Sequence, residues 1–131
     1  MKYLLDTNVL LWFTGDSDML PSKVRNILLN PNNELYISTI SLFEITIKSS
    51  IGKLKLGMSL PEYLDKIENS NIKILSLEND YYKKLNELPY YDNHRDPFDR
   101  IIIATGIVED FILLTADSKF DQYPVNCLWK S

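Results

Sequence analysis

Lys2-Tyr3-Leu4-Leu5-Asp6-Thr7-Asn8 reads as a short strand that stops at an acid. Tyr3, Leu4 and Leu5 are consecutive apolar residues, the pattern of a strand buried on both faces of a parallel sheet. The chain turns polar at Asp6, and the apolar run Val9 to Phe13 then opens a helix that Gly15 closes. The same strand-then-helix grammar recurs downstream. Leu35-Tyr36-Ile37-Ser38 precedes a helix starting at Ser41, and Ile72-Lys73-Ile74-Leu75 precedes one from Leu77 to Leu88. Phe111-Ile112-Leu113-Leu114 forms a fourth strand, and Val125 to Leu128 a fifth. Further helices open at Pro21-Ser22, where Val24, Ile27 and Leu28 share one face, and at Ser59-Leu60-Pro61-Glu62, a capping serine followed by an early proline and a glutamate. Asp96-Pro97 starts a last one, running through Val108. Short strands alternating with helices predict an α/β fold: a mostly parallel sheet sandwiched between helical layers, with right-handed crossovers. A barrel of this kind needs about 250 residues.

With 131 residues the chain is expected to be a single domain, residues 1–131. Its 45% hydrophobic and 24% charged content is that of an ordinary soluble globular protein. One cysteine, Cys127, has no internal disulfide partner and sits among Val125, Leu128 and Trp129, so it reads as a buried thiol in a reducing cytoplasm. The N-terminus turns acidic too soon for a signal peptide, and no apolar run approaches a membrane span. The net charge of −4 argues against a protein that coats nucleic acid non-specifically. It is compatible with a nuclease, because carboxylates that hold metal themselves make a chain acidic.

Four acids stand out by position. Asp6 and Asp117 follow strands, while Glu44 and Asp99 fall in the first turns of predicted helices. In an open parallel α/β sheet all such places face the carboxyl edge of the strands, where ligands bind. Each acid has an ordinary structural reading. Ser41-Leu42-Phe43-Glu44 resembles a capping box. Asp99 is an acid favoured by the helix dipole behind the Asp96 cap. Asp6 and Asp117 are potential turn formers, although Thr7, Asn8 and Ser118 are available to cap without them. Taken together, four accidents at one edge are less economical than one purpose. Converging carboxylates repel unless a cation or protons neutralise them, and an all-oxygen set suits Mg²⁺ or Mn²⁺.

Other polar residues signal less. Lys48, four after Glu44, reads as a helix-surface partner. Lys53, Lys55, Arg95 and Arg100 suit either a groove for a polyanion or plain surface. His94, the sole histidine, reads as exposed and inert in a polar loop from Pro89 to Arg95. Tyr90 and Tyr91 suit either base stacking or packing. Zinc, serine-hydrolase and glycine-rich phosphate motifs are absent.

The chain resembles the PIN-domain ribonucleases, specifically the small toxins of bacterial VapBC-type toxin–antitoxin pairs. The likeness runs from Leu4-Leu5-Asp6-Thr7-Asn8-Val9-Leu10-Leu11-Trp12 through Ile37-Ser38-Thr39-Ile40-Ser41-Leu42-Phe43-Glu44-Ile45, Lys48 and Gly52-Lys53-Leu54. It is most specific at His94-Arg95-Asp96-Pro97-Phe98-Asp99-Arg100, with Ile103-Ala104 following, and closes at Leu114-Thr115-Ala116-Asp117 and Phe120. The resemblance implies a PIN-like three-layer α/β/α sandwich and a metal held by Asp6, Glu44, Asp99 and Asp117, with Thr115 and Asn8 supporting them. It also favours Asp99 over Asp96 as the third acid of the set and leaves Asp121 open. The implied activity is Mg²⁺- or Mn²⁺-dependent endoribonuclease cleavage of single-stranded RNA, leaving a 5′-phosphate and a 3′-hydroxyl. The implied partner is a cognate antitoxin whose basic residue enters the acidic groove and whose apolar segment packs on exposed Trp12-Phe13. A homodimer is expected, and no membrane. Two alternatives are a receiver-like phosphoacceptor domain and a PIN-fold binding module without catalysis. The receiver reading asks for an aspartate ending its central strand, whereas Ile72-Leu75, read as central, ends in Ser76.

Overall fold

The computed structural model describes residues 1–129, so residues 130 and 131 of the expected domain lie outside the described residues. β1 (Lys2–Leu5) passes directly into α1 (Thr7–Thr14), and α2 (Ser22–Leu29) returns the chain to β2 (Glu34–Ser38). α3 (Thr39–Ser50) and α4 (Leu60–Glu68) lead to β3 (Ile72–Leu75). α5 (Asn79–Glu87) and α6 (Pro97–Glu109) precede β4 (Ile112–Leu114), a 3₁₀ turn (Ser118–Gln122) and β5 (Asn126–Leu128). The five strands form one sheet in the order β3-β2-β1-β4-β5, every pair parallel. The expected α/β architecture is the observed one.

Alternation along the strands divides the core into two layers. Tyr3, Leu5, Leu35, Ile37 and Leu114 face α1, α2, α4 and Ile45 of α3. Leu4 and Leu113 face the other way, onto Tyr81 of α5 and Ile101 to Ala104 of α6. Leu4 and Leu5 are fully buried, each worth about 1.5–3 kcal/mol relative to exposure. Both layers are therefore helical, which makes the molecule a three-layer sandwich.

The order of strands locates the functional edge. From β1 the chain moves outward through β2 to β3, then crosses back to place β4 on the opposite side of β1. The crevice between the carboxyl ends of β1 and β4 is a topological switch point, the place where open α/β sheets bind ligands.

Three expectations are corrected. Ile72–Leu75 is an edge strand, and the central one is β1, which ends at Leu5, just before Asp6. The order also differs from the 2-1-3-4-5 sheet of receiver-like domains, which removes that alternative. α3 starts at Thr39 because the Ser38 hydroxyl, ending β2, accepts the Ile40 N–H at 3.1 Å. Ser41 is thus not a cap and Glu44 is not half of a capping box. A serine cap paired with a glutamate three residues on is found instead at α4, where the Ser59 hydroxyl accepts the Glu62 N–H at 3.2 Å and donates to the Glu62 carboxylate at 2.9 Å. Trp12 and Phe13 are half-buried rather than exposed, and the Trp12 ring lies 5.6 Å from that of Trp129. No helix among the described residues is long and apolar enough to cross a membrane.

Candidate metal centre

Asp6 is the N-cap of α1 and is buried, with its carboxylate held from two sides. Oδ1 accepts the Thr7 N–H at 2.8 Å, and Oδ2 accepts the Thr115 hydroxyl at 2.8 Å. The Thr115 oxygen also accepts the Asp117 N–H at 3.1 Å, so one hydroxyl joins the ends of β1 and β4. Thr7 donates its own hydroxyl to Ser41 at 2.8 Å, pinning the start of α1 to α3.

That cross-link brings Glu44 to the switch point. Glu44 lies one turn further along α3 than Ser41 and is buried. Its Oε2 accepts from the Lys48 ammonium at 2.8 Å, whereas Oε1 is buried without a partner. The hydrogen bond to Glu44 raises the Lys48 pKa, so this cation stays charged at the rim. The expected pairing of Lys48 with Glu44 is present, and the exposed Lys48 stands at the edge of the cleft that Glu44 lines.

Asp99 enters from α6. Asp96 caps that helix, accepting the N–H groups of Phe98 at 2.8 Å and Asp99 at 3.3 Å, as expected of it. Pro97 at the first helical position fixes the entry angle. Asp117 completes the set from the 3₁₀ turn, which it caps by accepting the Lys119 N–H at 2.9 Å, although Ser118 was available for that role.

All four predicted acids line one cleft of about 360 Å³, together with Thr7, Asn8, Lys48, Asp96 and Ala116. Asp121 lies outside it, in an adjoining hollow that shares Ala116 and Asp117. The crowding is visible in the acidities. Burial pushes Asp99 up to about 8, with the charges of Asp6, Asp96, Glu44 and Asp117 adding to the effect. Burial likewise pushes Asp6 up to about 6, against the two hydrogen bonds that oppose it. Carboxyls that resist ionisation in this way lack a countercharge. Oxygen donors alone, one of them buried and unpartnered, fit a hard divalent cation.

Sequence reasoning missed His94. It is buried, not exposed: Nδ1 lies 2.8 Å from the Tyr123 hydroxyl, and the ring packs edge-on against Phe120 and Tyr123. Its Nε2 lies 3.4 Å from Asp99 Oδ2. Burial lowers its pKa, which favours the neutral ring. The polar appearance of the 89–95 loop hid this, because its anchors are distant in sequence. Tyr91 donates to the Gln122 carbonyl at 3.1 Å, and Arg100 donates to the Leu88 and Pro89 carbonyls at 3.3 and 3.2 Å. Tyr91 and Arg100 thereby anchor the loop, while Tyr90 remains exposed under the Arg100 guanidinium at 5.1 Å.

A short-stranded parallel sheet between helical layers, with an acidic cleft at its switch point, defines an open three-layer α/β protein. The sequence matches the PIN domain family over residues 3–126, and the chain belongs to that family. Comparison with curated proteins returns no match. Among solved structures, VapBC2 from Rickettsia felis, bound to a DNA fragment from its promoter, matches with a TM-score of 0.71 and 24% identity, covering 99% of this chain and 100% of that one. DNA-bound VapBC from Salmonella typhimurium matches at 0.70 and 20% identity, covering 98% and 97%. FitAcB from Neisseria gonorrhoeae matches at 0.68 and 20%, covering 96% of each chain. At these identities the likeness is one of fold.

Proposed function

We propose that this chain is a divalent-cation-dependent endoribonuclease acting as the toxin of a toxin–antitoxin pair. The observation that carries the reading is the convergence of Asp6, Glu44, Asp99 and Asp117, from four separate segments, on one cleft at the switch point. Membership of the PIN family and the fold shared with VapBC structures support it.

In this reading Asp6 and Asp99 hold Mg²⁺ or Mn²⁺, with Glu44 and Asp117 completing the donor set. The cation, when bound, neutralises charge building on phosphoryl oxygens and makes water nucleophilic near neutral pH. The protein supplies the rest. Thr115 and the Thr7 N–H fix Asp6 so that ordering it costs little on binding. Glu44 or Asp117 orients the attacking water and accepts its proton. Lys48 adds positive charge at the rim, where RNA phosphate enters an otherwise acidic cleft. In-line attack leaves a 5′-phosphate and a 3′-hydroxyl.

The antitoxin places an arginine or lysine among the acids, a charge-assisted contact that excludes the cation. An apolar segment of it docks in the groove of about 310 Å³ lined by Leu11, Trp12, Leu54, Leu56, Met58 and Tyr63. The lone half-buried cysteine suits a cytoplasmic site of action.

The test is cleavage of single-stranded RNA by purified protein with Mg²⁺, Mn²⁺ or excess chelator, beside Asp6→Asn. Cleavage that survives both the chelator and the substitution sinks the nuclease reading. Co-expression with the neighbouring open reading frame tests the toxin reading. If the chain alone spares growth and RNA, and no neighbour binds it, that part fails even where the nuclease stands. Absence of metal-stimulated cleavage leaves the family's binding-module alternative in its place.

A further inference from the structure

Asp99 approaches the cleft with little support of its own: unlike Asp6, its carboxylate accepts no backbone or hydroxyl hydrogen bond among the described residues. Behind it sits His94, whose side chain is 3% exposed. The ring is fixed on every side. The Tyr91–His94 bridge holds its backbone, Phe120 and Tyr123 pack edge-on at 5.5 and 5.4 Å, and the Tyr123 hydroxyl meets Nδ1 at 2.8 Å. That leaves Nε2 buried and unpartnered, 3.4 Å from Asp99 Oδ2. A buried polar atom without a partner is costly, so a free nitrogen this close to an acid of the site calls for a reason.

We propose that His94 is a positioning residue for Asp99: the Tyr123 hydroxyl donates to Nδ1, which places the ring proton on Nε2, and Nε2–H steadies Oδ2 so that the other oxygen faces the cleft. The inference rests on the cation site proposed above. Direct ligation by the ring is disfavoured by placement. His94, Asp99 and Asp117 offer ligand atoms within 4.8 Å of one another, but His94 does not line the cleft, and its Nε2 is buried. The arrangement repeats the logic of Thr115 on Asp6: a buried side chain stands behind each of the two acids.

The experiment uses the intact protein and Mn²⁺ alone, titrated calorimetrically, with melting curves of each metal-free variant as a control for folding. His94→Phe keeps the ring and removes both nitrogens. It is expected to weaken Mn²⁺ binding by about tenfold, the usual effect of removing a hydrogen-bond partner behind a ligand. His94→Gln carries an amide donor to the position of Nε2 and is expected to recover most of that loss, which a purely packing role would not allow. Because His94 is the only histidine, its ring ¹⁵N signals need no assignment. In the Mg²⁺-loaded protein they should report a proton on Nε2 and none on Nδ1. Unchanged Mn²⁺ affinity in His94→Phe, no recovery in His94→Gln, or a proton on Nδ1 overturns the proposal. Should His94→Phe fail to fold, Tyr123→Phe removes only the hydroxyl, and a measurable loss of affinity supports the proposal where no loss overturns it. Wild-type protein that binds no Mn²⁺ overturns the cation site and this inference together, whereas normal wild-type binding with an indifferent His94 overturns this inference alone.

Discussion

Asp99 is the residue at which acidity, stability and activity meet. Its carboxyl titrates at about 8 in the fold against the ordinary 3.8, chiefly through burial and then through the neighbouring acids. Between those values the folded state keeps a proton that the unfolded chain has released, so metal-free stability falls as pH rises through the window. Asp6, pushed to about 6, adds to the slope in its lower half. Metal-free protein should therefore melt at a lower temperature at pH 8 than at pH 5, and Asp99→Asn should flatten that difference, melt no lower than wild type at pH 8 and lack cleavage. A wild-type melting temperature that climbs from pH 5 to pH 8, or an Asn variant with the same slope, refutes the coupling. Asp96→Ala separates cap from ligand. It should cost about 1 kcal/mol through the lost cap and leave cleavage measurable. Asp6, Asp99 and Asp117 were legible in the sequence because each stands at a junction between elements, where the fold class alone says which edge it faces. His94 was not, since what buries it is Phe120 and Tyr123, residues that only the tertiary fold brings to it.

At the scale of elements, the hinge of the site is the contact between α1 and α3. The pattern Ser41-Leu42-Phe43-Glu44 points to Ser41 as the cap, whereas α3 is capped by Ser38. The choice is made by β2 running straight into α3 without a loop, so that its last residue doubles as the cap. Ser41 then falls inside the helix, fully buried, and its role becomes tertiary: it receives the Thr7 hydroxyl at 2.8 Å. The same shift moves Glu44 from a helix entrance to the cleft floor. Ser41→Ala should destabilise the protein by about 1–3 kcal/mol, because the Thr7 hydroxyl is left buried and unpaired. Cleavage should fall with it, since Asp6 and Glu44 lose their common tie, and Thr7→Val in the same background should add little further. Additive losses in the double variant would show that the two hydroxyls act separately. Strand order was the other feature the sequence left open. Local alternation marks Ile72–Leu75 as a strand but carries no sign of its edge position. The exposure of Lys73 and Ile74 does show it, once the sheet is assembled.

For the molecule as a whole, the surface beside the acids matters as much as the cleft. α3 buries Ser41, Glu44 and Ile45 but leaves Phe43, Ile47 and Ile51 exposed at 55%, 37% and 58%. Their spacing of four residues sets them in one stripe along the helix, and the Phe98 ring at the start of α6 lies 6.2 Å from that of Phe43. A continuous apolar stripe beside a charged cleft is surface that water solvates poorly. A second copy of the chain, meeting the stripe about a two-fold axis, would bury it on both sides. For the expected homodimer the stripe is the face to test, and it is distinct from the Trp12 groove proposed for the antitoxin. Phe43→Glu is the sharp test, because it places a charge where two copies would meet while touching no core residue. Light scattering behind size exclusion should give twice the chain mass for wild type and the chain mass for the variant. The variant's metal-free melting curve should still show a folded domain, and its Mn²⁺ binding should persist, since the acids come from one chain. Wild type that runs at monomer mass at tens of micromolar, or a variant that stays dimeric, removes α3 as the dimer face.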